Sequence, residues 1–346
     1  MQLMLKTSEP YKELMSQSSQ CTLQVLDRNW KSFFVAIKDY SKNPNKYLGK
    51  PKLPKYKDKN GRFPWFIKNN TSYIKDGILY FRLKVFKGKG FKTNVKGRLI
   101  SVRFIPKGSC YAMEIVYETE VCDEREDNGN VLGIDLGVNN FVTMVDNIGS
   151  NPIIINGRGI KSYNQYWNKN KAKFQSELKK RNNRHWSKKL DSITFKRENK
   201  LNNYMHHASK FIVNYCNLNN INTIVIGKNK EWKQECKINN NQQFVYIPYE
   251  KLIKMIKYKS ENVGIKVVET SESYTSGTSF LDNELPIKDN YNKSRRIKRG
   301  LFKANDGRII NSDVNGAFQI VRKVFPNAFV DGIVGGLNPI VINLCK

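Results

Sequence analysis

The chain has 346 residues and carries a formal net charge of +30 at pH 7, because 60 Lys and Arg side chains outnumber 30 Asp and Glu side chains. Hydrophobic residues make up 39% of the sequence and aromatic residues 12%, which is enough for a folded core and excludes a disordered basic tail. A compact body with this charge repels itself unless a polyanion binds, so the expected partner is nucleic acid. A membrane partner is not expected, since no basic amphipathic helix or lipidation motif dominates the sequence.

The six cysteines show no CxxC pair and no regular spacing. This excludes a readable disulfide framework or zinc ribbon, and we expect a reduced, cytoplasmic protein. The first ten residues lack a long apolar segment, and no stretch approaches the ~18 apolar residues of a membrane span. We therefore expect a protein that is neither exported nor membrane-bound.

Residues 14–37 repeat apolar side chains every three or four positions, which predicts an amphipathic helix that faces a core or a partner helix. Residues 47–62 follow with two prolines, two glycines and six basic residues against a single Asp. Proline and glycine rule out a long regular element there. This loop is either a phosphate-contacting segment or a solvated basic loop without a ligand.

Residues 65–118 contain short alternating and β-branched runs separated by turn signals, which predicts an antiparallel β region shaped as a small barrel or wedge. Residues 121–130 are acidic and show no periodic pattern, and we interpret them as a domain linker. Two apolar runs in residues 131–146 flank a turn at residues 137–140, which predicts a hairpin.

Residues 157–220 read as long helices interrupted near Asn182 and Asn183. Between residues 158 and 200 there are 14 basic and three acidic side chains, interleaved with aromatic residues. A solvated helix face is rarely so one-sided, so nucleic-acid contact is the favoured interpretation. A strand at 223–226, a helix at 248–264, a strand at 265–268 and a helix at 313–324 complete an α/β order.

Two carboxylates are candidates for chemistry. Asp135 lies between apolar neighbours on a predicted buried strand, where an unpaired charge is unfavourable unless it serves a cation. Asp313 lies in the first turn of a predicted helix, where its charge suits the helix dipole. Taken alone, Asp313 is more simply explained as a helix N-cap.

The motifs GIDLGVNN at 133–140, ESYTS at 272–276 and DGRIINSDVNGA at 306–317, in this order around basic helices, resemble the RuvC-type RNase H-like nuclease domain. More specifically, the sequence resembles the TnpB family of transposon-encoded, RNA-guided DNA endonucleases, relatives of the type V CRISPR effectors. YLGKPKLPKYK at 47–57 and the preceding helix match the N-terminal half of that family. The resemblance implies an α/β C-terminal nuclease domain preceded by a β-barrel-like wedge domain and a helical recognition segment.

The resemblance also implies three carboxylates that hold two Mg²⁺ ions, with Asp135 as the first ligand and Asp313 as the last. The family's middle Glu follows the strand at 223–226, but here Gly227 occupies that position and cannot bind metal. Either the nuclease is inactive or the carboxylate comes from the neighbouring strand end. We favour the second explanation, with Glu272 as the ligand and Glu269 as the second choice.

The sequence departs from the family in two further places. Many relatives carry a CxxC zinc ribbon before the last Asp, but residues 273–310 contain no Cys, so we predict no structural zinc. The N-terminal part is shorter than is typical. We predict residues 1–46 as a truncated helical recognition segment, 47–122 as the wedge-like domain and 131–346 as the nuclease domain, with a ribbon-like insertion at about 273–310.

The expected function is RNA-guided cleavage of double-stranded DNA next to a short motif, by an insertion-sequence protein that binds a guide RNA from its own element. The alternative is a nuclease-deficient RNA-guided repressor, and a self-sufficient transposase is disfavoured because no DDE triad is recognised. We expect a bacterial, nucleoid-associated protein that acts as a monomer on RNA. The side chains predicted to contact nucleic acid are Lys50, Lys52, Lys55, Tyr56, Lys57, Arg158, Lys161, Lys179, Lys180, Arg181, Arg184, Lys298 and Arg299.

Overall fold

The computed structural model describes residues 2–14, 16–228, 247–298, 300–329 and 336–344. They form two compact units, unit 1 (Met1–Glu120) and unit 2 (Val121–Lys346). Helices and strands occur in both units, which confirms the predicted mixture of α and β structure. In the part of the chain that the structure describes, no helix combines the length and apolar content that a membrane span requires.

Unit 1 begins with three helices and continues with short strands. The helices are α1 (Gln2–Leu5), α2 (Glu9–Glu13) and α3 (Ser16–Lys42). The strands are β1 (Trp65–Lys68), β2 (Ser72–Lys75), β3 (Ile78–Phe81), β4 (Phe91–Lys92), β5 (Arg98–Lys107) and β6 (Cys110–Glu118). They pair antiparallel as two three-stranded sheets, ordered β1-β5-β6 and β2-β3-β4, around one aromatic-rich core. The closure of these sheets into a barrel stays a prediction.

Helix α3 confirms the predicted helix, but its apolar stripe is not buried as expected. Ser18 joins the start of α3 to β1, because its hydroxyl donates to the Phe66 carbonyl at 2.7 Å and accepts from the Trp65 indole at 3.1 Å. Further along the helix, Leu26 is 37% exposed and Phe34 is 57% exposed. The contacts of α3 with the sheet are made near its N-terminus, so the second half of the stripe remains open within unit 1.

Unit 2 contains a six-stranded mixed sheet covered by helices. Its strands are β7 (Val131–Leu136), β8 (Asn140–Asp146), β9 (Ile153–Asn156), β10 (Thr223–Gly227), β11 (Lys266–Thr270) and β14 (Ile340–Ile342), and a separate hairpin is formed by β12 (Leu301–Lys303) and β13 (Ile309–Asn311). Its helices are α4 (Arg158–Asn182), α5 (Lys188–Leu218), α6 (Tyr249–Glu261) and α7 (Ser312–Val324). The predicted hairpin, the helix break and the later strands and helix are therefore confirmed.

The sheet order is β11-β10-β7-β8-β9-β14. Strands β7, β8 and β9 form an antiparallel meander, whereas β10 and β11 run parallel to β7 on its other side. Because side chains alternate along a strand, Leu132 and Ile134 face α5 and α6, while Val131 and Val225 face α7. The carboxyl ends of β7, β10 and β11 therefore meet at one edge of the sheet.

The predicted linker is attached to unit 2. The Arg125 backbone N–H donates to the Gly264 carbonyl at 2.9 Å, and its guanidinium donates to the Val263 carbonyl at 2.8 Å. Asn222 donates to the Glu126 carbonyl at 2.6 Å. These bonds join residues 121–130 to the loops that precede β10 and β11.

The cysteine-free insertion at 273–310 folds by apolar packing and ion pairing. Phe280 and Phe302 are buried against α7, and Phe280 stacks on Phe318 with ring centroids 4.2 Å apart. The Arg295 guanidinium lies 2.8 Å from the Glu284 carboxylate and 3.5 Å from that of Asp282. These ion pairs connect the two halves of the insertion.

Candidate active site

Asp135 lies one residue before the end of β7, on the sheet face that α7 covers. Gly133, two residues earlier, packs so closely on α7 that an added Cβ would lie 2.7 Å from the Ala317 carbonyl oxygen. At Gly316, an added Cβ would lie 3.1 Å from a carboxylate oxygen of Asp135. The absence of side chains at both glycines brings the strand and the helix together, so the Asp135 carboxylate lies against the first turns of α7.

Asp313 occupies the second position of α7. The side chain of Asn311 accepts from the backbone N–H groups of Asp313 and Val314, at 2.9 and 3.3 Å, and is the N-cap. The capping explanation for Asp313 is therefore wrong, since Asn311 fills that role. The Asp313 carboxylate accepts instead from the Asn140 side-chain amide at 2.7 Å, and the Arg296 guanidinium lies 3.8 Å away.

Glu272 follows β11 by two residues and points its side chain over the end of β10. A Cβ added to Gly227 would lie 2.7 Å from Glu272 Cγ and 3.1 Å from Glu272 Oε1. The Glu272 side chain thus occupies the space above Gly227. The hydroxyl and backbone N–H of Thr275 donate to the Glu272 carbonyl at 2.8 and 3.2 Å, which holds this turn in place.

Glu269, the second choice for the ligand, lies on the opposite face of the sheet. It pairs with Ile226 in the parallel register, and its carboxylate lies 2.7 Å from Lys257 of α6 and 2.9 Å from Lys228. Burial raises the pKa of Glu269, but hydrogen bonds from the two lysines lower it more, so the net pKa is below the ordinary value. Glu269 and Asp135 thus lie on opposite faces of the sheet, whereas Glu272 lies on the same face as Asp135.

The Asp135 carboxyl is buried and lies within electrostatic range of the other two carboxylates. Burial raises the pKa of Asp135 well above its usual range, and the charges of Glu272 and Asp313 raise it further. The Arg296 guanidinium opposes this and lowers the pKa. Burial, followed by the charges of Asp135 and Glu272, also raises the pKa of Tyr249, whose hydroxyl donates to the Gly137 carbonyl at 2.8 Å.

These side chains fit a divalent cation by charge and by donor type. Carboxylate oxygens are the ligands that Mg²⁺ prefers, and a cation between Asp135, Glu272 and Asp313 would relieve the repulsion that raises the Asp135 pKa. Within the described ranges, no three acidic, His or Cys side chains are close enough together to form a complete metal-binding set. The carboxylates share one edge of the sheet, and metal binding would require them to move closer together.

The predicted nucleic-acid contacts lie in several places. In unit 1, the side chains at 50, 52 and 55–57 are exposed, and this segment borders a groove beside Phe33 of α3. In unit 2, Arg158 is exposed, and Lys161 donates to the Asn139 side chain at 3.1 Å. The exposed side chains at the tip of the α4–α5 helical hairpin are Lys179, Lys180, Arg181 and Arg184. Lys298 is exposed, while Arg299 lies outside the described residues.

The aromatic residues among the basic helices are used differently from the expectation. Trp167 is buried between α4 and α5, where Lys171 and Arg197 lie 5.0 and 4.5 Å from its ring centroid. Lys200 lies 4.6 Å from the centroid of Tyr163 in the same way. Here cation–π contacts join the two helices, so part of the positive charge serves helix packing.

Two residues at the carboxylates are not predicted from the sequence. There, Asn140 stands out only as part of a turn, and Arg296 is one of several basic residues near the predicted contacts Lys298 and Arg299. Arg296 reaches the Ser312 hydroxyl at 3.0 Å as well as Asp313. Nothing in the local sequence around Asn140 or Arg296 indicates that either side chain contacts Asp313.

Comparison with known proteins identifies two family matches. The family model described as a probable transposase (OrfB_IS605) matches residues 114–233, and the model described as the Cas12f1-like TNB domain matches residues 249–320. No curated protein matches the chain.

Among solved structures, the chain is similar to the cryo-EM structure of the Cas12f1-sgRNA-target DNA complex, with 17% identity and a TM-score of 0.44 over 81% of this chain and 74% of that chain. A second match, the cryo-EM structure of a CRISPR-Cas12f ternary complex, has 14% identity and a TM-score of 0.45 over 81% of this chain and 66% of that chain. The two family matches cover the segments that carry the GIDLGVNN, ESYTS and DGRIINSDVNGA motifs, so over these segments the chain is similar to the probable transposase family and to the Cas12f1-like TNB domain.

Proposed function

We propose that this protein is an RNA-guided DNA endonuclease whose cleavage centre is formed by Asp135, Glu272 and Asp313. The observation that carries this proposal is the placement of the three carboxylates around the end of the unit 2 sheet. Asp135 lies against Gly316 of α7, Asp313 lies in the first turn of that helix, and the Glu272 side chain lies over the end of β10. Carboxylates from three separate elements are unfavourable neighbours unless they serve a cation. The matches to a transposase model and to a Cas12f1-like domain support the nuclease class.

The three carboxylates would hold the divalent metal. Bound Mg²⁺ would supply Lewis-acid chemistry for phosphodiester hydrolysis, one ion activating water and a second stabilising the leaving oxygen. Two neighbouring side chains would orient the Asp313 carboxylate and offset its negative charge. The Asn140 amide fixes the rotation of the Asp313 carboxylate, because it occupies one of the carboxylate oxygens. The Arg296 guanidinium lies beside Asp313 and could form a bidentate hydrogen bond with a phosphate.

The guide and target would bind through exposed basic surfaces in both units. The Lys-rich segment at 50–57 and the α4–α5 hairpin tip present exposed positive charge, which suits the phosphates of RNA and of double-stranded DNA. Sequence specificity would then come from base pairing of a guide RNA transcribed from the protein's own element.

The test is cleavage of a plasmid that carries the sequence matching the RNA with which the protein copurifies. We expect Mg²⁺-dependent cleavage by the wild-type complex and its loss in Asp135→Ala. Glu269→Ala is the matched control and should retain cleavage. It also removes a carboxylate near the end of β11, but on the sheet face opposite to Asp135. Full cleavage by Asp135→Ala would contradict the site assignment.

A second candidate function is favoured by Gly227 and by the incomplete ligand set among the described residues. In this alternative, the protein binds its RNA-specified DNA and represses transcription without cutting. Binding of matching DNA with no cleavage in either Mg²⁺ or Mn²⁺ would establish it.

A further inference from the structure

The end of β10 leaves no room for a side chain at position 227. A Cβ at Gly227 would lie 2.5 Å from Ile320 Cδ1 and 2.7 Å from Glu272 Cγ. Real Cβ atoms do not approach other heavy atoms this closely. The space that a residue 227 side chain would fill is therefore already shared by Ile320 of α7 and by Glu272.

The register of the sheet explains why side chains at positions 227 and 272 would occupy the same space. Gly227 pairs with Thr270 in the parallel β10–β11 ladder, and side chains of paired residues share a face. Val225, two residues before Gly227, packs with α7, so position 227 also points towards α7 and the side of Asp135. Glu272 lies two residues beyond Thr270 and returns to that face, whereas Glu269 is directed to the other one.

We propose that Gly227 is a positioning residue for Glu272, so that one carboxylate position is filled either from the end of β10 or from the turn after β11, but not from both. This inference rests on the proposed function, since it assigns the third carboxylate of the same site. It goes further in making Gly227 a required part of the site. The turn is held directly after Glu272, where Thr275 donates to the Glu272 carbonyl and Lys323 donates to the Ser273 carbonyl at 2.9 Å.

The first experiment measures Mn²⁺ binding to the purified full chain by calorimetry, together with DNA cleavage. Gly227→Ala should weaken Mn²⁺ binding by about 10–100-fold, as expected when a residue that orients a metal ligand is altered. Glu272→Ala should weaken it at least as much. The variant Gly227→Ala with Ile320→Val lacks Cδ1 and keeps only the collision with Glu272, so its affinity should remain low. Recovery in this variant would show that Ile320 crowding caused the loss and would overturn the proposal.

The second experiment exchanges the two positions and does not depend on Gly227→Ala being folded. Both variants in this experiment also carry Ile320→Val, because Ile320 Cδ1 would otherwise collide with a side chain at position 227. In this background, Gly227→Glu with Glu272→Ala should bind Mn²⁺ more tightly than Glu272→Ala alone, because the carboxylate returns from the end of β10. Equal binding by the two folded variants, with the same melting temperature, would contradict the proposal.

The two readouts separate this inference from the proposed function. If wild-type protein does not cleave DNA but Mn²⁺ binding follows the reciprocal pattern, the nuclease assignment fails and the role of Gly227 stands. If wild-type protein cleaves DNA and Gly227→Ala retains both Mn²⁺ binding and cleavage, the role of Gly227 is wrong and the nuclease assignment stands.

Discussion

Asn140 and Asp313 are 173 positions apart in the chain, and the side-chain amide of Asn140 donates to the Asp313 carboxylate at 2.7 Å. This bond connects the first residue of β8 to the first turn of α7. It fixes the orientation of a carboxylate that the helix N-cap, supplied by Asn311, leaves free.

Asn140→Ala should reduce DNA cleavage by about 10–100-fold, because the removal of a residue that orients a metal ligand typically has an effect of this size. Asn139→Ala is the matched control, since the Asn139 side chain accepts from Lys161 and not from the site. Single-turnover cleavage by both variants would test this prediction. Equal rates in the two variants would contradict it.

Asp135→Asn should raise the melting temperature in EDTA at neutral and alkaline pH. The folded-state pKa of Asp135 is raised, so the protonated carboxyl contributes stability below the unfolded-state pKa, and this is lost as pH rises through the folded-state pKa. The Asn side chain is neutral at every pH, so the advantage of the variant should shrink towards pH ~4, where an unfolded Asp also becomes protonated. Melting curves across this range provide the measurement, and a gap that does not change with pH would refute the prediction.

Arg295→Ala should destabilise the insertion at 273–310. Arg295, Asp282 and Glu284 have side chains that are only 17%, 12% and 18% exposed, and the variant leaves two carboxylates without this cation. Removal of one partner of a buried pair typically costs about 3–5 kcal/mol. Urea unfolding would measure the loss.

Arg308→Ala is the control for Arg295→Ala, because its ion pair with Asp306 is exposed to solvent. Exposed pairs contribute little to stability. A similar loss of stability in the two variants would show that the Arg295 cluster does not hold the insertion together.

The triple variant Lys179→Ala, Lys180→Ala, Arg181→Ala should bind DNA with a weaker salt dependence. Each lost phosphate contact lowers the slope of log K against log salt by ~0.9 on duplex DNA, so a decrease of about 2–3 is expected. The control is Arg98→Ala with Arg103→Ala, because these exposed cations already pair with Glu118 and Glu114. An unchanged slope in the triple variant would remove the hairpin tip from the proposed interface.

Local patterns were sufficient to predict most helices and strands of unit 2. The turn at 137–140 separates two apolar runs, and the structure shows the antiparallel β7–β8 hairpin there. Asn183 ends α4 in the left-handed conformation, with φ 50°, where the sequence predicts a break. Apolar periodicity likewise predicted α6 and α7, because these elements depend on neighbours within a few residues.

The apolar stripe of α3 and the aromatic residues of α4 were not resolved by the same reasoning. An apolar period shows that a face can be buried but does not show which part of it another element covers, and Phe34 remains exposed. Trp167 lies among basic residues in the sequence as an RNA-stacking residue would, but α5 packs over it and buries it. Both outcomes depend on the position of a second element.

The sequence by itself was sufficient to predict a polyanionic partner, the α/β order and the candidate carboxylates Asp135 and Asp313, and it shows that Gly227 has no side chain. Only the tertiary structure placed Glu269 and Glu272 on opposite faces of the sheet. The two residues are three positions apart, and the parallel pairing of β10 with β11 directs Glu269 to Lys257 while Glu272 returns over Gly227. The physical reason is that the face on which a side chain lies depends on strand register and on where the strand ends, which are set by contacts between distant segments.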